Sequence, residues 1–201
     1  MIRYAITDAS RFGETAEARL AGLLADARRW AAEGVEFVQL REKALAGEEL
    51  LRLAEAMLAV VRGAGGGTKL MVNSRADIAI AAGTDGVHLT SGREELAPEQ
   101  VRQLFAQAGL PKPVVSAACH SLADAKRAHD AGADLILFGP VFEKRVAGEL
   151  VVEGAGLERL REVCAAAEEI PVVALGGVTM ENAAACVAAG ASGVAGIRLF
   201  F

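Results

Sequence analysis

Apolar and polar positions alternate along this chain in blocks, and the blocks carry two different periods. Short apolar runs rich in Val, Leu, Ile and Ala fall at residues 3–7, 35–40, 69–72, 86–89, 114–116, 135–138, 172–175 and 193–197. Each is four to eight residues or slightly shorter, is bounded by Gly, Asp, Asn or Pro, and reads as a buried strand. Between them lie segments 16–33, 47–61, 75–82, 97–108, 122–131, 156–169 and 180–189, with helical spacing of apolar residues or strong helix formers. Eight predicted strands separated by seven predicted helices, all in crossover positions, imply parallel pairing.

An internal echo strengthens the pattern. Ala-Ala-Glu-Gly34-Val-Glu, Ala-Ala-Gly83-Thr-Asp-Gly, Asp-Ala-Gly132-Ala-Asp-Leu and Ala-Ala-Gly190-Ala-Ser-Gly each end a helix and open a strand. Glycine suits the left-handed residue that follows a helix. The echoes recur roughly every 50–60 residues, about two βα units. Eight such units fit a closed (β/α)8 barrel of the TIM-barrel class, and residues 1–201 read as a single domain. The last predicted strand is followed only by Arg198-Leu199-Phe200-Phe201, so the eighth helix is expected to be missing or truncated. The apolar slot this leaves needs a cover. Leu199, Phe200 and Phe201 are expected to be buried against the barrel or in an interface, a homodimer being one way to provide it.

Composition narrows the function classes. The net charge of −5 argues against a nucleic-acid footprint, and no apolar run reaches the length of a membrane span. No secretory signal precedes the first strand. The three cysteines, Cys119, Cys164 and Cys186, lack metal-ligand spacing and read as reduced small hydrophobes in a cytoplasmic protein.

The candidate chemistry sits just after the strands. In Gln39-Leu40-Arg41-Glu42-Lys43, alternate residues of an extended chain point the same way. Gln39, Arg41 and Lys43 therefore line one wall at a strand's C-terminal end, where parallel α/β proteins bind ligands, and suggest a phosphate or diphosphate. Glu42 faces the other way and can brace the wall. Asn73 follows the third strand as a ligand-binding amide, with Ser74 as a candidate helix cap and Asp77 in the next helix's first turn. Thr90-Ser91-Gly92-Arg93 follows the fourth, and His88 within it reads as a packed barrel histidine. His120 follows the fifth strand, in the place of a general acid/base, and Ser121 can cap the helix after it. The long segment after the sixth strand carries Glu143, Lys144 and Arg145, with Lys144 a candidate substrate contact over the mouth. Gly176-Gly177 and Ile197-Arg198, after the seventh and eighth strands, offer backbone amides to a phosphate.

These segments together resemble the thiamin phosphate synthase/TenI superfamily of phosphate-binding barrels. The resemblance runs through Tyr4-Ala5-Ile6-Thr7-Asp8, Gln39 to Lys43, Val72-Asn73, Asp85-Gly86-Val87-His88-Leu89, His120-Ser121, Phe138-Gly139-Pro140-Val141-Phe142 and Leu175-Gly176-Gly177-Val178-Thr179. It implies two enzymatic readings. A thiamin phosphate synthase joins an aminopyrimidine diphosphate to a thiazole phosphate with Mg²⁺, and would use Gln39, Arg41, Lys43 and Asn73. The magnesium-binding acids of that enzyme fall here at Ser74 and near Arg93, and the Ser two residues before the strand-five His falls at Ala118. A TenI-like thiazole tautomerase needs no metal and shuttles a proton through a His that matches His120. With both metal acids replaced, the sequence favours the tautomerase, acting without cofactor on a thiazole carboxylate phosphate. Arg41 and Lys43 would then attract the carboxylate. The synthase is the alternative, and a non-catalytic barrel that binds a thiamin-related phosphate is a third reading.

Overall fold

The computed structural model describes residues 1–92, 95–146 and 149–200, with 144–146 described by their backbone. Among the described residues there are ten strands: β1 (Ile2–Ile6), β2 (Phe37–Leu40), β3 (Lys69–Asn73), β4 (Gly86–Leu89), β5 (Val114–Cys119), β6 (Leu135–Phe138), β7 (Lys144–Val146), β8 (Glu149–Val152), β9 (Val172–Leu175) and β10 (Gly193–Gly196). Eight of them close a parallel barrel in the order β1-β10-β9-β6-β5-β4-β3-β2. Seven helices cover it: α1 (Ala16–Ala32), α2 (Gly47–Gly63), α3 (Ala76–Ala82), α4 (Pro98–Gln107), α5 (Leu122–Asp130), α6 (Gly156–Ala166) and α7 (Ala183–Ala188). The expected fold is observed. No helix among the described residues is long and apolar enough to cross a membrane.

The strands alternate as their period of two requires. Tyr4, Ile6, Met71, Leu135, Leu137, Val173 and Ala195 fill the barrel's interior. Their neighbours Ala5, Leu70, Val72, Ile136, Ala174 and Val194 face the helices. On α2, Leu50, Leu53, Ala54, Met57 and Val61 form the buried stripe, at spacings of three and four residues. The four echoed glycines, 34, 83, 132 and 190, have φ of 70°, 66°, 73° and 104°. They turn the chain from helix to strand where a side chain would be strained.

The C-terminal tail packs on the barrel beside α1. Leu199 is buried and Phe200 packs against both outer clusters. The Phe200 carbonyl accepts from Arg29 Nη1 at 2.8 Å and from the indole of the buried Trp30 at 3.0 Å. The expected burial holds for Leu199 and Phe200; Phe201 lies outside the described residues.

Two elements were not expected. A short 3-10 helix, Ala9–Phe12, follows β1, and the long segment after β6 holds the antiparallel hairpin β7–β8. The hairpin's Leu150, Val151 and Val152 are exposed, so burial left no apolar pattern from which to read it.

Candidate active site

All barrel strands run in one direction, so Arg41, Asn73, Thr90, His120, Gly176 and Ile197 gather at the same mouth. The wall after β2 is set by a brace on each side. The Arg41 amide donates to Thr7 Oγ at 2.9 Å, and the Glu42 carboxylate accepts the Ala9 amide with both oxygens at 3.1 Å. Glu42 thus ties the wall to the loop after β1, as its outward position suggested. The Arg41 guanidinium is half-buried and the Lys43 ammonium exposed, and neither pairs with a carboxylate among the described residues. Unpaired cations held at a barrel mouth are set to receive an anion.

Gln39 lies deeper than expected. It is 1% exposed, and its Nε2 donates to the Tyr4 hydroxyl at 3.0 Å. Instead of lining the wall it forms the floor, one level below Arg41. Beside it the His88 ring, 5% exposed, meets Ser116 Oγ at 2.9 Å through Nδ1. Burial, with a smaller push from the Arg41 charge, takes the His88 pKa down to about 3. His88 is therefore a neutral packed barrel histidine, in line with the sequence reading.

A cavity of about 290 Å³ opens beside the wall, lined by Leu40, Lys43, Asn73, Ser74, Arg75 and Thr90 among others. Ser74 departs from its expected role. It does not cap α3, whose N-cap position is Arg75 without a side-chain cap bond. Ser74 adopts a left-handed φ of 57°, and its hydroxyl turns to Glu95 Oε2 at 2.8 Å. The same Glu95 oxygen accepts the Thr90 amide at 2.8 Å and the Thr90 hydroxyl at 2.6 Å. Asn73 Nδ2 reaches Ser74 Oγ at 3.3 Å.

Glu95 is the residue that sequence reasoning missed. The second acid of the mouth was sought near Arg93, which lies outside the described residues. The structure brings in a carboxylate two positions later. The only sequence signal was an acid just before α4, where a macrodipole role is the ordinary reading.

On the opposite side, His120 is exposed, and its ring Nδ1 meets the Gly139 carbonyl. A carbonyl only accepts, so the neutral ring carries its proton on Nδ1 and leaves the Nε2 lone pair free to take one. Asp124 accepts the His120 amide at 3.0 Å, and Ser121 caps α5 by accepting the Asp124 amide at 3.1 Å, as expected. Cys119 is buried and its thiol is pushed up to about 12, chiefly by burial, which suits a packing residue.

Gly176 and Gly177 form a left-handed turn at φ 89° and 65°. A β-carbon would sit 2.6 Å from Pro140 Cα at the first and 2.7 Å from Phe142 Cβ at the second, so only glycine fits against the chain leaving β6. Asn182 Nδ2 donates to the Gly177 carbonyl at 3.0 Å, and its Oδ1 accepts the Thr179 amide at 2.8 Å, fixing the turn. Ile197 is half-buried and Arg198 exposed at the neighbouring strand end. The Lys144 side chain lies outside the described residues.

A parallel barrel that gathers cations, amides and a carboxylate at the C-terminal ends of its strands has the layout of the barrel enzymes, whose chemistry sits at that end. More narrowly, the chain belongs to the thiamine monophosphate synthase family, whose model (TMP-TENI) matches residues 3–200. It is 41% identical over 172 residues to the thiamine-phosphate synthase of Methanoculleus marisnigri, covering 84% of this chain and 75% of that protein. It is 35% identical over 197 residues to the thiamine-phosphate synthase of Roseiflexus sp., covering 96% and 75%. Among solved structures, the thiamine phosphate pyrophosphorylase from Pyrococcus furiosus superposes with a TM-score of 0.75 at 27% identity, over 97% of this chain and 84% of that one.

Proposed function

We propose that this barrel is a thiamin-phosphate synthase, joining an aminopyrimidine diphosphate to a thiazole phosphate with release of diphosphate. This reverses the preference drawn from the sequence. The observation that carries it is Glu95, whose carboxylate accepts the hydroxyl of Ser74, a residue that lines one cavity with Asn73 and Lys43. The names carried by these relatives support the same reading.

The residues fit the magnesium ion such a reaction implies. Mg²⁺ is commonly held by one or two carboxylates, with substrate phosphate oxygens and water completing its shell. Among the described residues no cluster of three His, Cys, Asp or Glu side chains can hold a metal by itself. Glu95 would be the protein's carboxylate and the substrate diphosphate the other ligand. When bound, the ion neutralises charge on the departing diphosphate.

The chain's own residues account for the rest. Arg41, Lys43 and Asn73 bind and orient the diphosphate. The amides of Gly176, Gly177, Ile197 and Arg198 receive the thiazole phosphate from the other side. Two anions held at opposite rims bring the thiazole nitrogen to the carbon that bears the diphosphate, so that the C–N bond forms as the C–O bond to diphosphate breaks and positioning supplies much of the rate. Lys144 is placed by sequence to contact substrate over the mouth.

A second reading keeps one observation in its favour. With its Nδ1 engaged by the Gly139 carbonyl, His120 has an Nε2 without a partner among the described residues, as a proton-shuttling thiazole tautomerase requires. One assay separates the two. The purified protein is given both substrate sets, with Mg²⁺ and with a chelator. Metal-dependent diphosphate release is expected; aromatisation of the thiazole carboxylate without metal would instead install the tautomerase.

A further inference from the structure

The wall after β2 carries an acid between its two cations, in the order Arg41-Glu42-Lys43. Beyond Leu40, where β2 ends, the strand's alternation no longer dictates which way a side chain turns. Glu42 lines the same cavity as Lys43. A carboxylate there is a ready partner for either cation and would compete with any anion they receive. Yet no ion pair joins Glu42 to Arg41 or Lys43 among the described residues. The carboxylate is held instead by one backbone N–H, that of Ala9, at 3.1 Å from both oxygens.

The donor belongs to a well-anchored unit. Ala9 is the first residue of the 3-10 helix Ala9–Phe12, which Asp8 caps by accepting the Ser10 amide at 3.1 Å. Arg11 ties this helix to the buried Asp26 of α1 at 3.1 Å. Asp26 is held in turn by Arg29 at 2.9 Å, and Arg29 reaches the Phe200 carbonyl of the tail. Phe12 lies on Gly22 of α1, where a β-carbon would come 2.2 Å from the ring. We infer that the Ala9 amide is a positioning group that keeps the Glu42 carboxylate off Arg41 and Lys43, so that both cations stay open to the ligand's anion. The helix after β1 thus acts on the anion site through Glu42. The inference rests on the synthase reading, under which that anion is the diphosphate.

Ala9→Pro deletes this one donor. Proline suits a first helical position, whose amide makes no bond within the helix. The extended Asp8 before it, at φ −153° and ψ 97°, has the backbone that proline favours in its predecessor. Calorimetry with inorganic diphosphate and Mg²⁺ should show affinity lowered about 3- to 5-fold, the competition of one partly exposed ion pair. In the Glu42→Gln background, where no charge is released, Ala9→Pro should change nothing. Arg11→Met loosens the same helix without touching its backbone, and carries the test if Ala9→Pro does not fold. It should lower affinity in the same direction, and again only where Glu42 is intact. A crystal structure of either ligand-free variant should place Glu42 against Arg41 or Lys43. Undiminished affinity, or a loss that persists in the Glu42→Gln background, would overturn the inference, as would a variant structure with Glu42 clear of both cations. A wild type that binds no inorganic diphosphate would count against the synthase reading, while the variant structures still decide where Glu42 goes.

Discussion

The two ends of this barrel use the same residue types to opposite ends. At the end where the strands begin, acids and arginines are matched. Glu36, Asp85 and Asp134 each stand two residues after an echoed glycine, and each accepts a backbone amide of the preceding strand: Arg3 at 2.9 Å, Leu70 at 2.8 Å and Val115 at 2.8 Å. Each also meets an arginine, Arg3 at 3.7 Å, Arg62 at 2.8 Å and Arg102 at 2.8 Å. At the other end, Arg41 and Lys43 have no carboxylate partner among the described residues, while Glu95 is held by hydroxyls and an amide, Glu42 by the Ala9 amide and Asp124 by the His120 amide. Charges satisfied by the protein hold the fold. Charges the protein leaves unsatisfied await a ligand. The difference makes the two ends experimentally separable.

The largest expected effect is at the unpaired end. Arg41→Ala should lower kcat/KM for diphosphate release by about 10²–10³, the usual cost of removing one preorganised electrostatic contact. Its stability should stay within about 0.5 kcal/mol of wild type, because no partner is left behind. A large fall in unfolding free energy with unchanged kinetics would mean that Arg41 belongs with the structural charges.

The floor between the ends gives the next effect, through pH. His88 titrates in the unfolded chain near 6.5 and in the folded protein only at about 3. A histidine depressed by folding contributes stability that is complete above its unfolded pKa. It is lost as pH falls toward the folded one, because the unfolded state binds the extra proton. Unfolding free energy should therefore drop with a slope of about 1.4 kcal/mol per pH unit from this group alone between those limits. Denaturant titrations of wild type and His88→Gln between pH 7 and 4 should diverge in slope by roughly that amount. Parallel curves would show the ring to be protonated in the fold.

How far the sequence discloses each end follows from what sets it. The eight barrel strands and seven helices are legible because burial imposes periods of two and 3.6 on their residues. The hairpin escaped because Leu150, Val151 and Val152 face water, where apolar residues carry no pattern. At the mouth, the Ser121 cap was readable, since it depends on its own few neighbours; alternation gave the side Glu42 faces, though not its partner Ala9, 33 residues away. Gln39 was placed one level too high: alternation gives the side it faces, and depth in the barrel depends on stagger between strands. Glu95 was missed because its partner Ser74 lies 21 residues away, across a fold that local spacing does not encode. Even the echoed glycines showed only half their meaning. They mark helix ends in the sequence, whereas the acids two residues later reveal their purpose only once the preceding strand is alongside.

The paired end should answer in stability alone. Asp134→Ala leaves the buried-strand amide of Val115 without its acceptor, and should cost about 1–3 kcal/mol. For a chain of this size that is a fall in Tm of about 2–4 °C per kcal/mol. Asp134→Asn keeps an acceptor oxygen and should lose less. In both variants kcat/KM should match wild type, and a kinetic loss at constant stability would break the division between the ends.

The smallest effect concerns the arginines of that same end, and it tests which half of each cluster matters. Arg62 is half exposed, its side chain at 51%, while its partner Asp85 is at 19%. An ion pair with one arm in water contributes about 0–1 kcal/mol, and salt screens it. The Asp85 bond to the Leu70 amide is sheltered by the strand it crosses. Arg62→Ala should therefore destabilise by under about 1 kcal/mol, and by less still at 1 M salt, whereas Asp85→Ala should cost about 1–3 kcal/mol at either ionic strength. Denaturant unfolding at two salt concentrations measures both. If the arginine variant were the more damaging, the repeated acid would be serving the ion pair and not the strand. The echo would then mark an electrostatic belt around the barrel, with no role in pinning each new strand to the last.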